Sequence, residues 1–130
     1  MTIYLDCNAT TPMEPRVREE VLRFMTDEFG NAGSRTHEYG IRAKRAAQEA
    51  RDRVAKVVAA DRDEVVFTSG ATESNNLAIL GLAEEGERTG RKHIISSPLE
   101  HKAVLEPLEG LSRRGFEVEL LPADERGWTD

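Results

Sequence analysis

The sequence has 130 residues, of which 38% are hydrophobic and 32% charged, and its formal net charge is −6. This composition is typical of a soluble domain with its own core, and we expect a cytoplasmic protein because neither a signal peptide nor a membrane-spanning apolar run is visible. The acidic balance argues against direct binding to nucleic acid, since proteins that neutralise phosphates gather Lys and Arg.

The first predicted elements are a short strand over Ile3–Leu5 and a helix from Pro15 to about Thr26. The polar loop between them contains Cys7, the only cysteine of the chain, so no internal disulfide can form. We interpret Cys7 as a buried or half-buried bystander rather than a reactive thiol. A loop with two glycines follows over Phe29–His37, and its sequence fits a functional loop and a plain connection about equally well.

A long helix is predicted from about Tyr39, because small and branched apolar residues recur on one face and charged residues cover the other. The apolar residues are Ala43, Ala47, Ala50, Val54, Val57 and Val58. A break at Asp61–Asp63 then leads into Val65–Phe67. The β-branched and aromatic side chains of that segment predict a strand buried on both faces.

The corner after this strand is a candidate binding site. Gly70 permits a turn, and Thr72 is the predicted cap of a helix that continues through Leu82. Free N–H groups at the start of such a helix attract anions, most naturally a phosphate. The alternative is a plain capped helix, which the corner taken alone slightly favours. The corner matches neither a P-loop, since no Lys follows at the required spacing, nor a dinucleotide motif, since it has a single glycine.

The remaining elements alternate between strand and helix. After a polar turn over Glu84–Arg91, we predict a strand at His93–Ser96, a helix from Lys102 to near Gly115 and a strand at Phe116–Leu120. Three strands separated by helices predict an α/β fold with a mainly parallel sheet and flanking helices.

His101 is the second candidate for chemistry. It follows the strand that is predicted to end at Ser96, so it should lie at the same carboxyl edge of the sheet as Gly70. A histidine there can stack on a ring or move protons near neutral pH. For a lone histidine, an ordinary place in the first turn of a helix is the favoured alternative. The three histidines and the single cysteine have no metal-ligand spacing, so no metal site is predicted.

Six short motifs occur together and in order: Tyr4–Asp6, Ala9–Pro12, Gly30–Ala32, Ser34–Arg35, Phe67–Ser74 and Glu100–Val104. In combination they resemble the amino-terminal third of a cysteine desulfurase, a fold-type I enzyme that uses pyridoxal phosphate, and the resemblance covers essentially the whole chain. Through Glu38–Arg45 and Thr89–Arg91 the chain is similar to the branch that supplies sulfur for DNA phosphorothioation.

The resemblance implies a domain arrangement and a set of site residues. Residues 15–130 would form the amino-terminal part of the large cofactor-binding domain, preceded by a strand and loop at residues 1–14 that are associated with the small domain or the active-site edge. Ala71 and Thr72 would hold the phosphate of pyridoxal 5'-phosphate, and His101 would stack on its ring and assist proton transfer. The residues expected on the substrate side are Asn8, Thr10 and Asn31.

The resemblance also implies L-cysteine as substrate, a homodimer and a sulfur-acceptor protein, with no membrane or direct nucleic-acid partner. An enzyme thiolate takes up the sulfur as a persulfide in that family. The family's Ser-x-His-Lys motif, its pyridine-pairing carboxylate and its loop cysteine are absent from this sequence. We therefore expect a piece of a desulfurase that is inactive alone and completed by a carboxy-terminal part. The alternative is a non-catalytic phosphate-binding or interaction module.

Overall fold

A computed structural model describes residues 3–129, which form two compact units, one ending at Val66 and the other beginning at Phe67. None of the helices described there is long and apolar enough to cross a bilayer. The elements, in chain order, are α1 (Pro15–Thr26), α2 (Glu38–Val57), a 3-10 turn (Arg62–Glu64), α3 (Ala71–Thr89), β1 (His93–Ser96), α4 (Lys102–Arg113) and β2 (Glu117–Leu120).

Side chains cap both helices of the first unit. The carboxylate of Glu14 accepts a hydrogen bond from the N–H of Val17 at 3.0 Å, in the first turn of α1. Nδ1 of His37 accepts one from the N–H of Gly40 at 3.1 Å, in the first turn of α2. Each cap satisfies one of the N–H groups that a helix start leaves without an intrahelical partner.

The predicted apolar stripe of α2 is only partly buried. Ala43 and Ala55 are buried, but Val57 at the end of the helix is 85% exposed. α1 has no buried residue at all, although its apolar side chains recur at helical spacing. The first unit therefore leaves much of the apolar surface of both helices in solvent.

The second unit contains a parallel strand pair and a small core. β1 and β2 pair in register from His93 opposite Glu117 onwards, and α4 connects them along the chain. α3 packs against α4. The buried cluster consists of Ala83, Leu111 and Phe116, flanked by Ile79 and Ile94. The two later strands and the helix between them are thus confirmed, as is the α/β class.

Two predicted strands are wrong for this structure. Neither Ile3–Leu5 nor Val65–Phe67 has strand geometry. Val66 and Phe67 are 64% and 51% exposed, so this segment is not buried on both faces. A strand is stabilised by a ladder to a neighbouring strand, and the sheet of the described residues contains β1 and β2 only. It has two strands in place of the predicted three.

The predicted bounds of α3 also need correction. Gly70, not Thr72, occupies the N-cap position, and Thr72 is the second residue of the helix. The helix does not turn at Glu84 but continues to Thr89, where Gly90 ends it with a left-handed φ of 76°. Only glycine adopts that conformation at little cost, which explains why the helix ends there.

Candidate functional site

The corner that leads into α3 is held together by its own side chains. The N–H and the hydroxyl of Ser69 both donate to Oε2 of Glu73, at 2.6 and 2.7 Å. The hydroxyl oxygens of Thr68 and Ser74 lie 2.6 Å apart. These contacts fix the chain on both sides of Gly70 without using the side chain of Thr72.

The charge of Glu73 is settled by the same contacts. The hydrogen bond from the Ser69 hydroxyl, and then that from its N–H, hold the pKa of the Glu73 carboxyl below its ordinary value. A negative charge in the first turn of a helix is also favoured by the helix dipole. Glu73 is therefore ionised at neutral pH and bound to Ser69.

The first turn of α3 keeps donors that can bind an anion. Within the described residues, no side chain caps Gly70. The N–H groups of Ala71 and Thr72 have no helical acceptor, because the first N–H groups of any helix lack one. No hydrogen bond of the described part uses the Thr72 hydroxyl, and the residue is exposed. Two N–H groups and one hydroxyl at the positive end of a helix suit a phosphate.

His101 is the N-cap of α4. Its Nδ1 accepts a hydrogen bond from the N–H of Ala103 at 3.1 Å. Because Nδ1 is the acceptor, the proton of the neutral ring lies on Nε2. The residue is exposed, so this Nε2–H can reach a ligand. The predicted alternative, a histidine in the first turn of a helix, is close to this local structure, since His101 directly precedes the first helical residue Lys102. No hydrogen bond of the described part uses its Nε2.

Thr72 and His101 line one groove in the second unit. The groove has a volume of about 590 Å³ and is lined by α3 from Thr72 to Leu80 and by α4 from its N-cap His101 to Arg114. Asn76, Lys102 and Ala103 also line it. The structure thus brings together two of the residues predicted to bind the cofactor, and Ala71 directly precedes one of them.

Glu73 and Asn76 are two residues of this region whose contacts were not predicted from the sequence. The side-chain Nδ2 of Asn76 donates to the carbonyl of Thr72 at 2.9 Å and to that of Ala103 at 3.5 Å. Asn76 stands four residues after Thr72, so helical spacing already puts both on one face of α3. That spacing was the available signal, whereas the contact with Ala103 in another helix has no local signature.

The predicted substrate-side residues lie in the first unit. Oγ1 of Thr10 is 2.5 Å from the hydroxyl of Tyr4, and Oδ1 of Asn31 accepts a hydrogen bond from the N–H of Gly33 at 2.8 Å. Asn8 is exposed in the same loop as Thr10. The functional role of these residues stays a prediction.

Cys7 lies in that exposed loop as well. The prediction that it is buried or half-buried is wrong, because its thiol is exposed to solvent. The segment around it has no strand neighbour in the described sheet that would cover it. Across residues 3–129, no group of three or more His, Cys, Asp or Glu side chains is arranged to hold a metal ion.

The parallel strands, the helix start at Gly70 and the histidine after β1 together define part of a fold-type I α/β domain. The sequence pattern of class-V aminotransferases matches residues 3–130, and the chain belongs to that family. Cysteine desulfurase IscS of Shewanella sp. (strain MR-4) is 52% identical over 129 residues, which are 98% of this chain and 32% of that protein. Cysteine desulfurase IscS of Escherichia coli O9:H4 (strain HS) is 51% identical over 132 residues, with 100% and 32% covered.

Solved structures agree with this family. DndA from Streptomyces lividans has 66% sequence identity and a TM-score of 0.77, covering 92% of this chain and 33% of that one. A NifS-like protein has 44% identity and a TM-score of 0.90, covering 100% of this chain and 35% of the other. The chain spans about a third of the length of the relatives that it matches.

Proposed function

We propose that this chain is the amino-terminal part of a pyridoxal-phosphate-dependent cysteine desulfurase, which converts L-cysteine to L-alanine and passes the sulfur on as an enzyme persulfide. The observation that carries the proposal is the groove shared by Thr72 and His101. A hydroxyl next to a helix start and an imidazole in one groove support a site for a phosphorylated aromatic cofactor. The similarity to proteins named cysteine desulfurases supports the choice of reaction.

The start of α3 fits the phosphate of pyridoxal phosphate. The N–H groups of Ala71 and Thr72 and the Thr72 hydroxyl are donors without a partner in the described part of the chain, which suits a phosphate dianion. Glu73 carries a negative charge in the same turn, but its carboxylate is bound by Ser69. The donors of Ala71 and Thr72 therefore remain for the phosphate.

Each predicted site residue has its own proposed task. The first turn of α3 binds the phosphate and so fixes one end of the cofactor. His101 presents an imidazole face for stacking and an Nε2–H for proton transfer, because its Nδ1 is occupied by the N–H of Ala103. When bound, the cofactor supplies an electron sink for bond cleavage next to the amino group of the substrate. Asn8, Thr10 and Asn31 are assigned to the substrate side.

The proposal includes the partners of the complete enzyme. A carboxy-terminal part would bring the Schiff-base lysine, the persulfide cysteine and the carboxylate that pairs with the pyridine nitrogen. The protein would be a cytoplasmic homodimer with a sulfur-acceptor protein, and residues 15–130 would belong to its large domain, preceded by the segment of residues 1–14. The 66% identity to DndA supports the branch that supplies sulfur for DNA phosphorothioation.

The test uses Thr72→Val in the complete enzyme. This change keeps the shape of the side chain and removes one charge-assisted hydrogen bond, so the affinity for pyridoxal phosphate should fall roughly ten- to hundredfold. Thr89→Val, at the other end of the same helix, is the matched control and should leave the affinity unchanged. If both variants bind pyridoxal phosphate as tightly as the parent, Thr72 does not bind the phosphate and the phosphate site lies elsewhere. Cofactor binding without formation of alanine from cysteine would favour the non-catalytic module.

A further inference from the structure

The carbonyl of Ala103 lacks its normal helical partner. In α4 the residue four positions later is Pro107, which has no N–H to donate. Ala103 is only 6% exposed, so little water can replace that donor. Burying a carbonyl without a hydrogen bond costs stability. In this structure a donor from outside α4 fills the place of the missing N–H.

Asn76 of α3 is that donor. Its Nδ2 lies 3.5 Å from the carbonyl of Ala103 and 2.9 Å from the carbonyl of Thr72. Both acceptors are carbonyl oxygens, so the amide must present its NH₂ group to them, and its orientation is thereby settled. One side chain thus joins the first turn of α3, which carries Thr72, to the first turn of α4.

The backbone of Ala103 connects this link to His101. Its N–H donates to Nδ1 of His101 at 3.1 Å, while its carbonyl accepts from Asn76. Movement of the first turn of α4 away from α3 would carry the imidazole with it. The phosphate donors of Ala71 and Thr72 belong to α3 and would stay where they are.

We propose that Asn76 is a positioning residue, which holds the imidazole of His101 at a set place relative to Thr72 by binding the carbonyl that Pro107 leaves without a partner. The inference rests on the proposed function, since it concerns how the same groove holds its cofactor. If Asn76 has this role, its loss should alter the environment of the cofactor ring and lower the turnover, while the binding of the phosphate should not change.

The experiment compares Asn76→Leu with Asn75→Leu in the complete holoenzyme. Both residues are partly exposed asparagines of the same helix, but no hydrogen bond of the described part uses the side chain of Asn75. Asn76→Leu should lower kcat roughly fivefold or more, the effect of one lost hydrogen bond, with the KM for cysteine and the cofactor affinity within about twofold. The visible circular dichroism band of the bound cofactor should weaken. Asn75→Leu should leave kcat and that band unchanged.

Asn76→Ser separates the two hydrogen bonds of Asn76. A serine hydroxyl can still donate to the carbonyl four residues earlier, that of Thr72, but it is too short to reach Ala103. Asn76→Ser should therefore weaken the circular dichroism band as Asn76→Leu does, without disturbing the start of α3. A crystal structure of this variant should have a longer distance from Nδ1 of His101 to Oγ1 of Thr72 than the parent has.

Different results overturn the inference and the proposed function. If both Asn76 variants keep the parental dichroism band and kcat while His101→Ala loses them, Asn76 has no positioning role but the proposed site stands. If the complete parent protein binds no pyridoxal phosphate, the proposed function is wrong. In that case an unchanged position of the His101 ring in the Asn76→Ser crystal structure would overturn the positioning role independently of the cofactor.

Discussion

Ser69 and Glu73 form a closed hydrogen-bonded loop across Gly70, in which one carboxylate oxygen accepts from both the N–H and the hydroxyl of Ser69, at 2.6 and 2.7 Å. This contact turns the chain into α3 and binds the carboxylate of Glu73. It also occupies the N–H of Ser69, so the N–H groups of the next helical residues are the ones left for a ligand. The corner is therefore held by hydrogen bonds between its own residues.

The Glu73 contact predicts a specific loss of stability in acid. Hydrogen bonds from the Ser69 hydroxyl and N–H lower the pKa of the Glu73 carboxyl from its ordinary value of 4.5. A depressed pKa contributes stability above the unfolded value, and this contribution is lost as the pH falls through the folded one. The stability advantage of the parent over Glu73→Gln should therefore be present at neutral pH and shrink below about pH 4.5. Urea unfolding midpoints across this range measure it.

Glu84→Gln is the matched control for that measurement. Glu84 is an exposed glutamate of the same helix, and no hydrogen bond of the described part uses its side chain. A Glu73→Gln curve that runs parallel to the Glu84→Gln curve at every pH would contradict the prediction.

A second prediction separates the two roles of His101. As N-cap of α4 it accepts a hydrogen bond from Ala103, so His101→Ala should destabilise the protein by about 1 kcal/mol. His101→Asn should retain that stability, because asparagine is among the best N-cap residues. Neither variant retains an imidazole, so both should lower the turnover of the complete enzyme by roughly a hundredfold.

Thermal unfolding and steady-state rates together measure this separation. If His101→Asn turns over as fast as the parent, His101 acts only as a helix cap and has no role in the reaction. The affinity for pyridoxal phosphate should change less in these variants than in Thr72→Val, since the phosphate donors belong to α3.

The sequence predicted helices and the later strands well and the early strands badly, for a physical reason. A helix satisfies its hydrogen bonds within its own segment, so the periodicity of Pro15–Thr26 is sufficient. A strand depends on a neighbour that the segment itself does not contain. His93–Ser96 finds that neighbour in Glu117–Leu120, whereas Val65–Phe67 has no strand geometry in the described part of the chain.

Part of the site was also predictable from local sequence patterns, and part was not. The rule that ligands bind at the carboxyl ends of parallel strands pointed to both the Gly70 corner and His101. It applies to His101, which follows β1, but not to Gly70, because Val65–Phe67 has no strand geometry; Thr72 and His101 nevertheless line one groove. The link between Asn76 and Ala103 joins residues 27 positions apart in the chain. No local pattern predicts such a contact, although the missing N–H of Pro107 marks its acceptor.

A third prediction concerns the chain by itself. We expect residues 1–130 to release no sulfide from cysteine. The sequence contains neither the lysine of the Ser-x-His-Lys motif, which would bind the cofactor covalently, nor the loop cysteine, which would take up the sulfur. α1 has no buried residue, and Val57 at the end of α2 is exposed, so the chain should also self-associate in solution. Sulfide assays with added cofactor and light scattering measure both properties. A monodisperse monomer would instead favour an independent module.

The last prediction concerns the energetic coupling of Asn76 and Pro107. In the parent, Asn76→Leu leaves the buried carbonyl of Ala103 without a donor and should destabilise the protein by about 1–3 kcal/mol. Pro107→Ala restores an N–H at the position from which a helix normally supplies that carbonyl. Asn76→Leu should therefore cost less in the Pro107→Ala background.

A double-mutant cycle measured by urea unfolding gives this coupling directly, and we expect a value of about 1 kcal/mol or more. The cycle also removes an ambiguity, because lost packing of the asparagine side chain would cost the same in both backgrounds. Asn75→Leu combined with Pro107→Ala is the control cycle and should be additive within about 0.5 kcal/mol. Additivity in the Asn76 cycle would mean that the Ala103 carbonyl does not depend on Asn76, and the link between α3 and α4 would have to be assigned to side-chain packing instead.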